Sequence, residues 1–130
     1  MAGLSASDIH FAQLYDCFTP TVIIELEDLG FCVKGEGGAF VEGNRLGPGG
    51  ELPVNTHGGL LSHSHSGNPG SLFAVTETVQ QLRGELGDRQ VPGAEIGLVH
   101  VQGGLMCLGQ LGKQQIGGDE AVQLLINVLK

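Results

Sequence analysis

At 130 residues with 41% hydrophobic side chains, the chain has the size and apolar content of one globular domain around one core. Six Lys and Arg against fourteen Asp and Glu leave a net charge of −8 and no basic run, which argues against nucleic acid or an anionic membrane surface as a partner. The opening residues lack a basic or apolar leader region, and no stretch is long and apolar enough to span a bilayer, so the sequence predicts a cytoplasmic protein with no membrane contact.

In chain order, Ile9 to Tyr15 alternates as a strand does, with Ile9, Phe11 and Gln13 on one side. The strand ends at Asp16–Thr19. Pro20 then suits the first turn of a short buried helix over 21–29, closed at Gly30. From Gly35 to Pro53, Gly, Asn and Pro crowd into the longest loop, where only Ala39-Phe40-Val41 has extended character. Ser71 to Leu86 is the clearest helix: Leu72, Val75, Val79, Leu82 and Leu86 recur at three and four, and Gln80, Gln81 and Arg83 face outward. Residues 95–101 and 105–109 read as two strands of a hairpin turning through Gln102-Gly103-Gly104. Val122, Leu125, Ile126 and Leu129 favour a helix in the tail segment 119–130, which leaves residues 1–118 as the domain proper. Helices alternating with strands predict a layered α/β fold.

The polar residues with chemical potential gather in 55–65, where Asn55, the Gly58-Gly59 pair and three histidines follow one another. Imidazole donates a hydrogen bond or takes a proton near neutral pH, and glycine lets main-chain N–H groups come close to a ligand. Asn55, Gly58 and Gly59 form either the wall of a site or a structural turn. His57, His63 and His65 have a spacing that invites a zinc reading, but no acidic or cysteine ligand lies nearby in sequence, and no metal is assigned. Tyr15 offers a phenol that donates a hydrogen bond, or acts as a base if its pKa is lowered. Its other reading is a core tyrosine at a strand end. Cys17, Cys32 and Cys107 are odd in number and have no Cys-x-x-Cys spacing, so they read as buried free thiols.

Five motifs in register, over roughly residues 2 to 113, resemble the C-terminal half of thiolases: Tyr15-Asp16-Cys17-Phe18, Gly37-Gly38-Ala39-Phe40, Asn55 with Gly58-Gly59-Leu60-Leu61-Ser62 and then His65, Gln81-Leu82-Arg83-Gly84, and Arg89-Gln90-Val91-Pro92-Gly93-Ala94. The match is strongest to the sterol-carrier and lipid-transfer branch. The resemblance implies the C-terminal half of the thiolase fold, a layered mixed β-sheet with helices on its faces. It implies a coenzyme A thioester as substrate with no covalently bound cofactor, and an N-terminal half, fused or separate, that carries the nucleophilic cysteine. A dimer is implied for the complete enzyme, and a small zinc-ribbon and OB-fold protein as a further partner. Without the N-terminal half the domain is expected to be inactive or weakly active.

The resemblance also assigns roles. His65 matches the histidine that helps activate the nucleophilic cysteine and donates into an oxyanion hole, although Ser64 and Ser66 stand where the family has Gly and Pro. Asn55, Gly58 and Gly59 match the segment that shapes the site wall. Tyr15 occupies the place of a histidine or asparagine that supports the oxyanion hole, and Tyr-Asp-Cys-Phe is shared with lipid-transfer-like aldolases acting on steroid CoA thioesters. Asp16 is expected to cap the helix that follows it, with Cys17 and Phe18 packing beneath the site. At the hairpin turn the acid/base cysteine of ordinary thiolases is missing; Gly103 or Gly104 still offers an N–H, and His100 is either a substitute acid/base or a satisfied strand histidine. Three functions follow as expectations: retro-aldol cleavage of a β-hydroxyacyl-CoA, thiolysis or acyl transfer by a cysteine from the other half, and a non-catalytic binding or assembly role.

Overall fold

The computed structural model describes residues 4–66, 68–102 and 121–127. Its centre is β1 (Phe11–Gln13), every residue of which is buried. The expected one-sided alternation gives way to burial on both faces because a helix packs on each side of the sheet, and both edges of the strand are paired as well. On one edge lies the parallel strand β2 (Ile96–Gln102), in the register Phe11↔Gly97, Ala12↔Leu98 and Gln13↔Val99. On the other, Ala12 forms a parallel bridge with Val54: its N–H donates to the Pro53 carbonyl at 3.0 Å, and its carbonyl accepts from Asn55 N–H at 2.9 Å.

The far edge of β2 pairs antiparallel with β3 (Ala121–Asn127), from Ile96↔Asn127 to Gln102↔Ala121. This corrects the helix expected over 119–130. The run Leu124-Leu125-Ile126 fits both helical and strand periods, and the hydrogen-bonding edge of β2 selects the strand. Residues 105–109, expected to supply that neighbour, lie outside the described residues, as do Gly103, Gly104 and Cys107.

One face of the sheet carries α1 (Thr19–Asp28), with Pro20 in its first turn. The helix closes in a Schellman motif: Phe31 N–H donates to the Leu26 carbonyl and Gly30 N–H to that of Glu27. Leu26 joins Ala12, Leu14, Leu52 and Leu98 in the main apolar cluster, with Phe31, Phe40, Leu46 and Val54 packed around it. Gly37–Phe40 folds as a short helix, α2, where extended backbone was expected at 39–41. Glu27 fixes its start by accepting Gly37 N–H at 2.9 Å. A second short helix, α3, spans Gly59–Ser62.

The opposite face carries α4 (Asn68–Arg83). A methyl group at Gly97 would meet the Phe11 ring at 2.5 Å and Thr78 Cγ2 at 2.9 Å, so close approach of helix and strand requires glycine there. The face that α4 buries is Ala74, Glu77, Thr78 and Gln81, while Leu72 is 65% exposed and Phe73 also faces outward. Of the apolar stripe expected inward only Leu72 is exposed, while Val75, Val79, Leu82 and Leu86 are half-buried; Gln81, expected to face outward, is buried instead, in a polar network beneath the helix. Thr56 Oγ1 donates to Glu77 Oε1 at 2.8 Å and accepts from the side-chain amides of Gln13 and Gln81. Arg89 pairs with the other Glu77 oxygen at 3.1 Å. Gln81 also donates to the Arg89 carbonyl and accepts from Val91 N–H. Gln81→Ala strands these buried partners and is expected to cost about 2–3 kcal/mol in a urea unfolding curve.

Candidate active site

The turn after β1 is fastened at three successive residues. Leu14 N–H donates to Asn55 Oδ1 at 2.8 Å, Tyr15 N–H donates to Glu25 Oε2 at 3.0 Å, and the Asp16 carboxylate accepts Leu60 N–H at 2.6 Å. Asp16 thus caps α3 rather than α1, the helix that follows it in sequence. Asn55 holds its place in left-handed backbone with φ of 51°, a region that asparagine tolerates better than most residues. Gly59, at φ of 65°, lies so close to Asp16 that a methyl group there would fall into the carboxylate.

These fastenings bring Tyr15 to His65. Tyr15 Oη lies 3.3 Å from His65 Nε2, and the two rings meet edge to face with centroids 6.0 Å apart. Tyr15 is half-buried and His65 exposed, so a phenol backed by protein faces an imidazole open to solvent. Such a pair can pass a proton between oxygen and nitrogen and present either atom to a ligand.

The other expected site residues divide. Asn55 and Gly58–Gly59 make a hydrogen-bonded turn, the Asn55 side chain accepting Leu14 N–H and its carbonyl accepting Gly58 N–H at 2.8 Å. His100 lies on β2, 4% exposed, with Nδ1 3.4 Å from Glu25 Oε2, the separation of an ion pair without hydrogen-bond alignment. Cys17 is buried with Sγ 3.6 Å from Thr21 Oγ1, whereas Phe18, expected beneath the site, is 62% exposed. Glu25 was not singled out from the sequence, although a carboxylate inside Val22-Ile23-Ile24-Glu25-Leu26 is the signal that marks it.

The three histidines of 57–65 also separate. His65 turns to Tyr15, while His57 and His63 pack together with ring centroids 5.4 Å apart, and His63 meets Phe73 edge to face. A hollow of about 150 Å³ lies beside this second group, walled also by Glu77 and Arg89. Among the described residues, no group of three or more His, Cys, Asp or Glu side chains could hold a metal ion. Burial is the main cause that lowers the His57 pKa from the usual 6.5, against the opposing charge of Glu77. The unfolded chain therefore takes up this proton first, and stability is expected to fall as pH drops below about 6.5. His57→Asn should flatten that acid limb in thermal melts.

A larger cleft of about 780 Å³ is lined by residues of the loop at 46–51, the 53–58 segment and the turn at 88–92. Asn55 and Gly58 line it, and Tyr15 and His65 are not among its described walls. The candidate site is therefore defined by the Tyr15–His65 contact and not by cavity size.

Residues 1–110 match the family model described as thiolase C-terminal domain-like. The chain belongs to the thiolase C-terminal domain family. This thiolase domain is 45% identical over 104 residues to an acetyl-CoA acetyltransferase of Methanothermobacter thermautotrophicus, a match that covers 80% of this chain and 27% of the relative. It is also 45% identical over 83 residues to the 17-hydroxy-3-oxo-4-pregnene-20-carboxyl-CoA lyase of Mycobacterium tuberculosis, covering 64% of this chain and 21% of that one. Among solved structures it resembles the Ltp2-ChsH2(DUF35) aldolase, with a TM-score of 0.66 and 42% identity over 75% of this chain and 25% of the other. The thiolase domain thus spans about a quarter of the length of these relatives. The mixed α/β sheet expected from the sequence is the one observed. Among the described residues, no helix is long and apolar enough to cross a membrane.

Proposed function

We propose that this domain is the C-terminal half of an acyl-CoA enzyme that breaks a C–C bond by retro-aldol cleavage of a β-hydroxyacyl-CoA. The observation that carries the reading is the 3.3 Å contact between Tyr15 Oη and His65 Nε2. With the phenol proton passed to His65, the Tyr15 oxygen takes the proton of the β-hydroxyl. The Cα–Cβ bond then breaks, a carbonyl forms at the former hydroxyl carbon, and the bonding electrons pass into the thioester enolate. The His65 imidazolium returns a proton to the α-carbon, which gives a shortened acyl-CoA and restores the pair. The coenzyme A thioester is a substrate, no bound cofactor takes part, and the remaining site groups come from an N-terminal half.

Relatives named as a CoA lyase and an aldolase support the reaction class, and the DUF35 component in the solved aldolase's title supports a partner protein of that kind. The test is to combine this domain with its N-terminal half and supply a β-hydroxyacyl-CoA and, separately, a 3-ketoacyl-CoA with free coenzyme A. Cleavage of the first to a carbonyl compound and a shorter acyl-CoA is expected. The acetyltransferase relative favours a second reading, thiolysis through a cysteine of the other half. A covalently acylated cysteine, trapped with the ketoacyl substrate and found by mass spectrometry, would establish it instead.

A further inference from the structure

Behind Tyr15 lies a pair of ionisable side chains that the proposed chemistry does not use. Glu25 of α1 and His100 of β2 have side chains 0% and 4% exposed, and they meet at 3.4 Å in the layer between helix and sheet. An apolar pair would fill this space without the penalty of burying charge. The Glu25 oxygen that faces His100 is the same Oε2 that accepts Tyr15 N–H at 3.0 Å. One buried carboxylate atom therefore joins the imidazole of β2 to the main chain that carries the phenol.

We infer that Glu25 and His100 are positioning residues for Tyr15, the carboxylate holding the Tyr15 main chain so that its phenol stays on His65, and His100 keeping that carboxylate ionised inside the protein. This rests on the role proposed for Tyr15. A carboxylate accepts the amide proton in a charge-assisted hydrogen bond; protonation at Oε2 weakens that acceptor and loosens the turn. Among the described residues, charged and hydrogen-bonding groups reach Glu25 from three neighbouring elements. His100 approaches from β2, Tyr15 N–H from the end of β1, and Asp16 from the following residue, with its own carboxylate engaged by Leu60 N–H. On α1 itself, Glu27 is turned to Gly37 and Asp28 to Lys34. Burial pushes the Glu25 carboxyl above its ordinary range and the charge of Asp16 adds to this, while His100 and the Tyr15 amide oppose it. Glu25 is thus set to take up its proton at milder acidity than an exposed glutamate.

The test reads the coupling directly in the full chain. In ¹H–¹⁵N and carboxyl ¹³C spectra recorded across the acid range, the Tyr15 amide is expected to titrate with the same midpoint as the Glu25 side chain. Glu25→Gln, which keeps an acceptor oxygen but cannot ionise, should abolish that titration. His100→Gln should move the midpoint up by removing the opposing charge. A Tyr15 amide indifferent to the Glu25 titration, or a midpoint unmoved in His100→Gln, would overturn the inference; the wild-type titration decides alone if the variant does not fold. In the complete enzyme, Glu25→Leu should lower kcat about 10- to 100-fold with little change in KM, and Glu25→Gln should recover most of it at neutral pH. Full kcat in a folded Glu25→Leu enzyme also overturns the inference. Were Tyr15→Phe fully active while the Tyr15 amide still followed Glu25, the reading of Tyr15 as a base would fail and the coupling would stand.

Discussion

Tyr15→Phe is expected to lower the rate of C–C cleavage by the complete enzyme about 10²- to 10⁴-fold, the range set by loss of a positioned acid or base. The substitution removes one oxygen atom. The half-buried ring keeps its edge-to-face packing on His65, and the turn keeps its fastenings, because Leu14, Tyr15 and Asp16 are held through main-chain N–H groups and the Asp16 carboxylate rather than through the phenol. Unfolding midpoints should therefore stay close to those of the wild type, and KM should change less than kcat. Thiolysis gives the contrast. It needs a nucleophilic cysteine and an imidazole, so Tyr15→Phe should spare it while His65→Ala suppresses it. Parallel assays of both variants on a β-hydroxyacyl-CoA and a 3-ketoacyl-CoA thus separate the two chemistries. A Tyr15→Phe enzyme that cleaves the hydroxyacyl substrate at the wild-type rate removes the phenol from the mechanism.

The strand at Phe11–Gln13, the helix beginning at Thr19 and the long helix α4 were legible because each has a sharp local cue: alternation, Pro20 before an apolar run, and a run of 16 residues with helical period. The inward face of α4 was not. Sequence reading assigns the core to apolar residues, whereas this interface is closed by hydrogen bonds among Gln13, Thr56, Glu77, Gln81 and Arg89, and Gln81 is buried with both its amide nitrogen and its oxygen hydrogen-bonded. The tail was misread for another reason. Helix or strand in Ala121–Asn127 is decided by the open edge of β2, a partner about twenty residues away in sequence that periodicity does not see. At the site, the pairing of Tyr15 with His65 across 50 positions was suggested by family motifs and appears as a contact only once the turn and α3 are built. Glu25 was hidden because it reads alone as an isolated polar residue in an apolar segment, and His100, singled out at its turn, gave no sign of the partner it meets from α1.

Gly59→Ala should be among the most damaging small substitutions in the domain, costing about 2–4 kcal/mol in denaturant unfolding. Two independent costs meet at this residue. Its backbone lies at φ of 65°, where a Cβ is strained, and the added methyl would fall into the Asp16 carboxylate that accepts Leu60 N–H. Asp16 cannot retreat cheaply, because it is 6% exposed and caps α3, and the same turn holds Tyr15, the residue before it. Asp16→Ala alone should cost about 1 kcal/mol as a lost cap. In the double variant the clash disappears while the backbone strain remains, so the two costs should add to less than their sum, and the shortfall measures the clash. Activity should fall further than stability in Gly59→Ala even where the protein remains folded. Displacing the carboxylate moves Tyr15 relative to His65, and the 3.3 Å contact has little length to spare before the proton can no longer cross. Equal, additive losses in the cycle would mean that Gly59 is required for its backbone angle alone and that Asp16 moves freely.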